Sequence, residues 1–162
     1  MRHLIILISF AFLANACTPN ATLPLSTTST VEELLSLLSE ETEQLTIYNF
    51  WATWCKPCVA ELPYFEKINK EYASEKVSVL LVSLDFPNQV DSRLKPFIKK
   101  KNLQSKIVLL DDANEDFWIK DIDENWSGAI PATIIYHKNK RKFYEQSFDY
   151  ETLEAELKSF LK

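Results

Sequence analysis

Phe50-Trp51-Ala52-Thr53-Trp54-Cys55-Lys56-Pro57-Cys58 (FWATWCKPC) is the stretch that decides the fold. On its upstream side, residues 46–51 (TIYNFW) are β-branched and aromatic, the composition of a buried central strand. On its downstream side, Leu62, Phe65, Ile68 and Tyr72 recur at helical spacing. Pro57 suits the first turn of that helix, where no backbone N–H is needed, and Pro63 inside it should kink it. Cys55 and Cys58 therefore stand where a buried strand passes into a helix. A spacing of three brings both sulfurs to one side of the first helical turn, close enough to bridge. Cys55 falls at the helix N-terminus, where unpaired N–H groups and the helix dipole favour the thiolate. Cysteines so placed have pKa values of roughly 3.5–7.5, against about 8.5 for a free thiol. The thiolate is the attacking species in disulfide exchange. Cys55 is thus expected to attack and Cys58, one turn deeper, to resolve, with the positive charge of Lys56 alongside.

Two plainer readings of the pair stand beside this one. Half of a zinc site would need four ligands, and the remaining candidates are Cys17, His3 and His137. A structural disulfide is compatible with an exported chain, although a bridge closing so small a loop stabilises little.

Further out, Thr30 and Glu33 form a capping box ahead of Val31, Leu34, Leu35 and Leu38, predicting a helix over 31–39. Residues 77–84 (VSVLLVSL) predict a second central strand, followed by a loop over 85–88. A helix near 91–101 is weakened by Pro96, a short strand follows at 107–110, and 111–121 is acidic loop and short helix. Residues 132–137 and 142–146 pair as a hairpin across Lys138-Asn139-Lys140. Asp149 caps a last helix carrying Leu153, Leu157, Phe160 and Leu161. Strand and helix alternate and a hairpin and helix close the order, which predicts an α/β sandwich with a mixed sheet.

The 162 residues are one domain's worth, and 46% apolar with 25% charged residues is ordinary for a globular protein. A net charge of −5, with no zinc-finger or helix-turn-helix signature, argues against nucleic acid as a partner. Gly128 is the only glycine, which excludes glycine-rich phosphate loops. Residues 1–16 read as a signal segment: a positive start, an apolar run from Leu4 to Leu13 too short to span a bilayer, then Ala14-Asn15-Ala16. Ala14 and Ala16 fit an ordinary cleavage site. The same stretch resembles a bacterial lipobox ending on Cys17, with Ala14 where Leu or Val is typical, and the lipid anchor on Cys17 is the reading adopted. Residues 17–30 read as a tether, with an irregular first strand over 21–25 as the competing reading. The domain proper is 31–162.

FWATWCKPC resembles the active-site stretch of the thioredoxin superfamily, and Val59-Ala60-Glu61-Leu62-Pro63 after it is similar to the exported TlpA/ResA-like branch. The resemblance runs from about Val31 onward and is loose over 85–126. The glycine-turn hairpin with which members often begin is missing. The resemblance implies a three-layer α/β sandwich, a central mixed sheet flanked by helices. It also implies roles for single positions. Asn49 stands where cytoplasmic thioredoxins bury an Asp. Glu61 matches an acidic residue of the exported branch, and its spacing puts the carboxylate over the Cys58 turn. Partly desolvated, it could take and return the Cys58 proton near neutral pH; the alternative is an exposed helix carboxylate. Pro131 matches a cis-proline facing the dithiol, leaving the backbone of Ile130 to pair with an extended substrate. Trp54, Lys56 and Pro57 join Ile130 as expected substrate contacts, Trp54 as a partly exposed wall and Trp51 as core.

The function so implied is thiol–disulfide exchange, reduction in preference to oxidation or isomerisation. The clients would be exported proteins with Cys pairs, outside the cytoplasm, with electrons from a membrane thiol donor. Membrane contact would be through the lipid anchor only. No cofactor is expected beyond the redox-active Cys55–Cys58 disulfide. The peroxidase pattern of the related peroxiredoxins needs Thr three residues and Pro seven residues before the nucleophile, and Ala52 and Tyr48 hold those places. Exported copper carriers on this fold use a wider Cys spacing and a distal His. An inert bridge in a binding module is the remaining alternative.

Overall fold

The computed structural model of the chain describes residues 24, 25, 30–39, 43–111 and 115–162. The expected signal segment, Cys17 and most of the expected tether lie outside the described residues.

Alternation along β1 (Leu45–Trp51) divides the interior into two cores. Leu45, Ile47 and Trp51 face one core, and Tyr48 and Phe50 face the other, as the period of two in a strand requires. The same division runs through β2 (Val77–Ser83), β3 (Lys106–Leu109) and β4 (Ala132–His137). With β5 (Lys140–Tyr144), these form a five-stranded sheet among the described residues, in the order β3-β2-β1-β4-β5. β1 pairs with β2 and β2 with β3 in parallel, whereas β4 runs antiparallel to both β1 and β5. One face is covered by α2 (Lys56–Glu71), α3 (Lys95–Lys101) and α5 (Tyr150–Leu161), through Leu62, Phe65, Ile98, Leu153 and Leu157. The other is covered by α1 (Val31–Ser39) and α4 (Glu115–Ile122), through Leu34, Leu38, Trp118 and Ile122. This is the three-layer α/β sandwich with a mixed sheet that the sequence predicts.

The caps follow local chemistry. Glu33 N–H donates to Thr30 Oγ1 at 3.3 Å while Thr30 N–H donates to Glu33 Oε2 at 3.2 Å, the reciprocal box at the start of α1. Asp149 Oδ1 accepts from Thr152 N–H at 2.9 Å at the start of α5. Two boundaries, at Pro96 and Lys138, differ from the sequence reading for reasons of backbone chemistry. The helix expected over 91–101 is a π-helical turn, Val90–Leu94, followed by α3 with Pro96 in its first turn. Proline has no N–H to continue a ladder, so the helix is re-registered ahead of it. β5 starts at Lys140 and not at 142, because Lys138 takes a left-handed conformation (φ 55°) and the hairpin closes tightly, with His137 opposite Lys140. α2 runs without interruption from Lys56 to Glu71 across Pro63.

In the stretch where tether and irregular strand competed, Pro24 and Leu25 lie along β3. Ile107 N–H donates to Pro24 O at 3.0 Å, and Leu25 bridges Ile107 in parallel. No helix among the described residues is long and apolar enough to cross a membrane.

Candidate active site

At the end of β1 the chain leaves the sheet through a tight turn, closed by Cys55 N–H donating to Ala52 O at 3.1 Å. Cys55 is the N-cap of α2, in an extended conformation (φ −85°, ψ 102°), with Pro57 in the first turn. Cys58 N–H, one of the orphan donors of that turn, donates to Cys55 Sγ at 3.3 Å. The two cysteines form a disulfide across a Cα–Cα distance of 5.3 Å. Cys55 is 6% exposed and Cys58 is fully buried. A partner arriving from solvent therefore meets the Cys55 sulfur. Trp51 is buried in the core as expected, and Trp54, 47% exposed, stands beside the pair.

A second loop closes over the dithiol. The Ile130–Pro131 peptide bond is cis, and Ile130 O lies 3.7 Å from Cys55 Sγ. Trp126, fully buried, donates Nε1–H to Ala129 O at 2.8 Å. Glu145 accepts from Ser127 N–H at 3.2 Å, from Ala129 N–H at 3.1 Å and from the Ser127 hydroxyl. Those hydrogen bonds, led by the Ser127 hydroxyl, hold the Glu145 carboxyl below the usual range. Gly128 has φ 93°, and a Cβ there would come within 3.0 Å of Ile119 Cδ1; its lack of a side chain serves both the turn and the close approach. Between this loop, α4 and the turn that carries Trp54 lies a cleft of about 260 Å³, lined also by Leu84 and Phe86 past the end of β2.

Three residues after Cys58, α2 carries the centre of a buried polar group. Glu61 is 1% exposed. Its Oε2 accepts from Phe148 N–H at 2.8 Å and its Oε1 from Asn49 Nδ2 at 3.0 Å. Asn49 Nδ2 also donates to Thr133 Oγ1 at 3.2 Å. Burial pushes the Glu61 carboxyl up to about 7, against the opposing pull of the two donors. Of the two readings of Glu61, the structure shows the desolvated carboxyl and not the exposed helix carboxylate.

Two carboxylates that sequence reasoning missed brace the loops. Asp85, 2% exposed at the end of β2, accepts from Thr53 N–H at 3.1 Å, Thr53 Oγ1 at 2.5 Å and Ser83 Oγ at 2.9 Å. It ties the turn before Cys55 to the neighbouring strand. A Ser-x-Asp ending a buried apolar strand was the available signal. Glu145 carried none, since its contacts lie 16–18 residues away on another loop.

Residues 15–141 match the model of the AhpC/TSA family. The chain belongs to that family. Its curated relatives include the thioredoxin-like protein YneN of Bacillus subtilis (strain 168), 35% identical over 74 residues, 46% of this chain and 43% of YneN. The thiol-disulfide oxidoreductase ResA of Geobacillus thermodenitrificans (strain NG80-2) is 28% identical over 151 residues, 86% of this chain and 81% of ResA. Among solved structures, StoA from Bacillus subtilis superposes with a TM-score of 0.54 at 28% identity, over 70% of this chain and 82% of StoA. The chain spans less than two thirds of the length of the first curated relatives it matches, 43% for YneN. This AhpC/TSA member is thioredoxin-like in fold, and the resemblance carried by FWATWCKPC holds.

Proposed function

We propose that this protein is a thiol–disulfide oxidoreductase that reduces disulfides of exported client proteins. One observation carries the reading: a bridged Cys55–Cys58 pair at the helix start, with Cys58 N–H aimed at the Cys55 sulfur. When the pair is reduced, that donor favours a Cys55 thiolate. The thiolate attacks one sulfur of a client disulfide, and the other client sulfur leaves as a thiolate. Cys58 then attacks the Cys55 sulfur of the mixed disulfide, the Cys55–Cys58 bridge forms and the second client thiolate leaves. Two electrons have passed to the client, whose thiolates each take a proton. A dithiol donor at the membrane restores the reduced pair by the same exchange in reverse.

In this reading Glu61 accepts the Cys58 proton as Cys58 becomes a nucleophile, a role suited to a carboxyl that titrates near 7. Pro131 and Ile130 offer the client an edge beside Cys55, and Trp54, Lys56 and Pro57 form the rest of its contact surface. Cys17 carries a lipid that holds the domain outside the cytoplasm. Peroxide reduction is not part of the reading, because Ala52 has no hydroxyl to offer a peroxide.

The test is the Cys58→Ser variant, which should accumulate a mixed disulfide between Cys55 and a model client; no trapped adduct would refute the exchange. Equilibration of the wild-type pair against glutathione gives the direction. A potential near that of thioredoxin, about −270 mV, supports reduction, whereas one near about −120 mV makes the protein a disulfide donor.

A further inference from the structure

Asn49 on β1 and Thr133 on β4 are cross-strand partners in the antiparallel register, and both are fully buried. Alternation puts them on the α2 face of the sheet, since Ile47 and Ile135 of the same two rows belong to the core under that helix. An amide nitrogen has two hydrogens to give. Here one goes to Glu61 Oε1 at 3.0 Å and the other to Thr133 Oγ1 at 3.2 Å. Asn49 Oδ1 is left with no hydrogen-bond partner among the described residues. A buried acceptor without a partner is unfavourable, so this amide orientation is held by its two donor contacts. The opposite orientation would turn a carbonyl lone pair on the carboxylate.

We propose that Asn49, anchored by the Thr133 hydroxyl, is the positioning residue that aims a hydrogen-bond donor at Glu61 and so sets how readily Glu61 takes up a proton. The proposal rests on the reading of Glu61 as the proton acceptor for Cys58. Among the described residues Thr133 makes its hydrogen bond to Asn49 and none to Glu61, so it acts through the amide. Its hydroxyl can accept from Asn49 and keep its own hydrogen for another acceptor.

The charged surroundings leave this amide as the group to vary. On α2 itself the titratable groups three residues to either side are Cys58, bridged in the oxidised protein, and half-buried Tyr64. β1 and β4 contribute no charge at Asn49 or Thr133; of the titratable residues of β4, Tyr136 faces the opposite core and His137 is at the far end against Phe160 O. The link from β5 to α5, which supplies the Phe148 N–H, carries Glu145, bound to Ser127 and Ala129, and Asp149, bound to Thr152. Tyr144 of β5 donates to Glu156. The other buried carboxylates among the described residues, Asp85 and Asp123, are held by Thr53 and Arg141 respectively.

The experiment is a carboxyl carbon NMR titration of Glu61 in the oxidised protein, where neither active-site cysteine titrates. Wild type is compared with Thr133→Val, Thr133→Ser and Asn49→Leu. Loss of one donor to a charged group should raise the Glu61 midpoint, by about one pH unit for Asn49→Leu. Thr133→Val, which keeps the shape and removes the hydroxyl, should move it the same way. Thr133→Ser should restore the wild-type midpoint, which a purely packing role would not do. A folded Thr133→Val protein that titrates like wild type overturns the proposal, whatever becomes of Asn49→Leu. The proton-acceptor reading fails separately: mixed-disulfide resolution by Glu61→Gln would then keep the wild-type pH profile.

Discussion

Glu61 shows how much one residue owes to its surroundings. A carboxyl in solution titrates near 4.5, and burial moves this one to about 7. Between those values the folded state holds a proton that the unfolded state has released, so stability falls as pH rises from about 4.5 to about 7 and stays low above it. This is opposite to the usual carboxylate, whose depressed pKa stabilises the fold as pH rises. The contribution is about 3 kcal/mol at most, from a shift of about 2.5 pH units at 1.36 kcal/mol each. Denaturant unfolding at pH 5 and pH 8 is expected to show this loss in wild type. Glu61→Gln, which cannot ionise, should flatten it; an equal pH dependence in both proteins would contradict the assignment. Cys55 and Cys58 make the complementary point. Their chemistry follows from one helical turn, and it is legible in FWATWCKPC without any distant contact.

At the scale of single elements, the β1–α2 junction depends on a partner it does not contain. The Thr53 turn is fastened to the end of β2 through Asp85, a buried carboxylate with three neighbouring donors. Asp85→Ala removes that acceptor from the buried Ser83 hydroxyl and from the half-buried Thr53 donors. It should lower the unfolding free energy by about 2–4 kcal/mol, read as a shift in denaturant midpoint. α5 offers a contrast in size. Asp149→Ala deletes one exposed N-cap, and a clearly smaller shift of the denaturant midpoint is expected in the same measurement. If the two variants cost the same, Asp85 is not the brace described here. Sequence reasoning found the Asp149 cap because a cap and its helix are adjacent. It passed over Asp85 because its partner turn lies 32 residues upstream.

At the scale of the whole molecule, two cores share one sheet. Phe65 on α2 belongs to one, and Phe50 on β1 points into the other; both are fully buried. Because β1 lines both cores, damage to either should be felt by the entire domain. Phe65→Ala and Phe50→Ala should each cost about 3–5 kcal/mol. Each should still melt in a single transition, with circular dichroism and tryptophan fluorescence coincident. Separate transitions for the two probes would show that the layers unfold independently.

The sequence by itself determined the order of the elements, the two-sided burial of the strands, the capped starts of α1 and α5, and a dithiol at a strand-to-helix junction. All of these are written in spacings of two, three or four residues, over which backbone geometry alone decides what faces what. Its errors of boundary, at Pro96 and Lys138, are also local and follow from backbone rules at single residues. Only the tertiary structure decided that Glu61 is buried, that Asn49 links it to Thr133 84 positions along the chain, and that Glu145 and Asp85 hold the loops around Cys55. A buried hydrogen bond between distant side chains has no period to betray it. It exists because folding removes water from both partners at once and leaves each as the other's replacement.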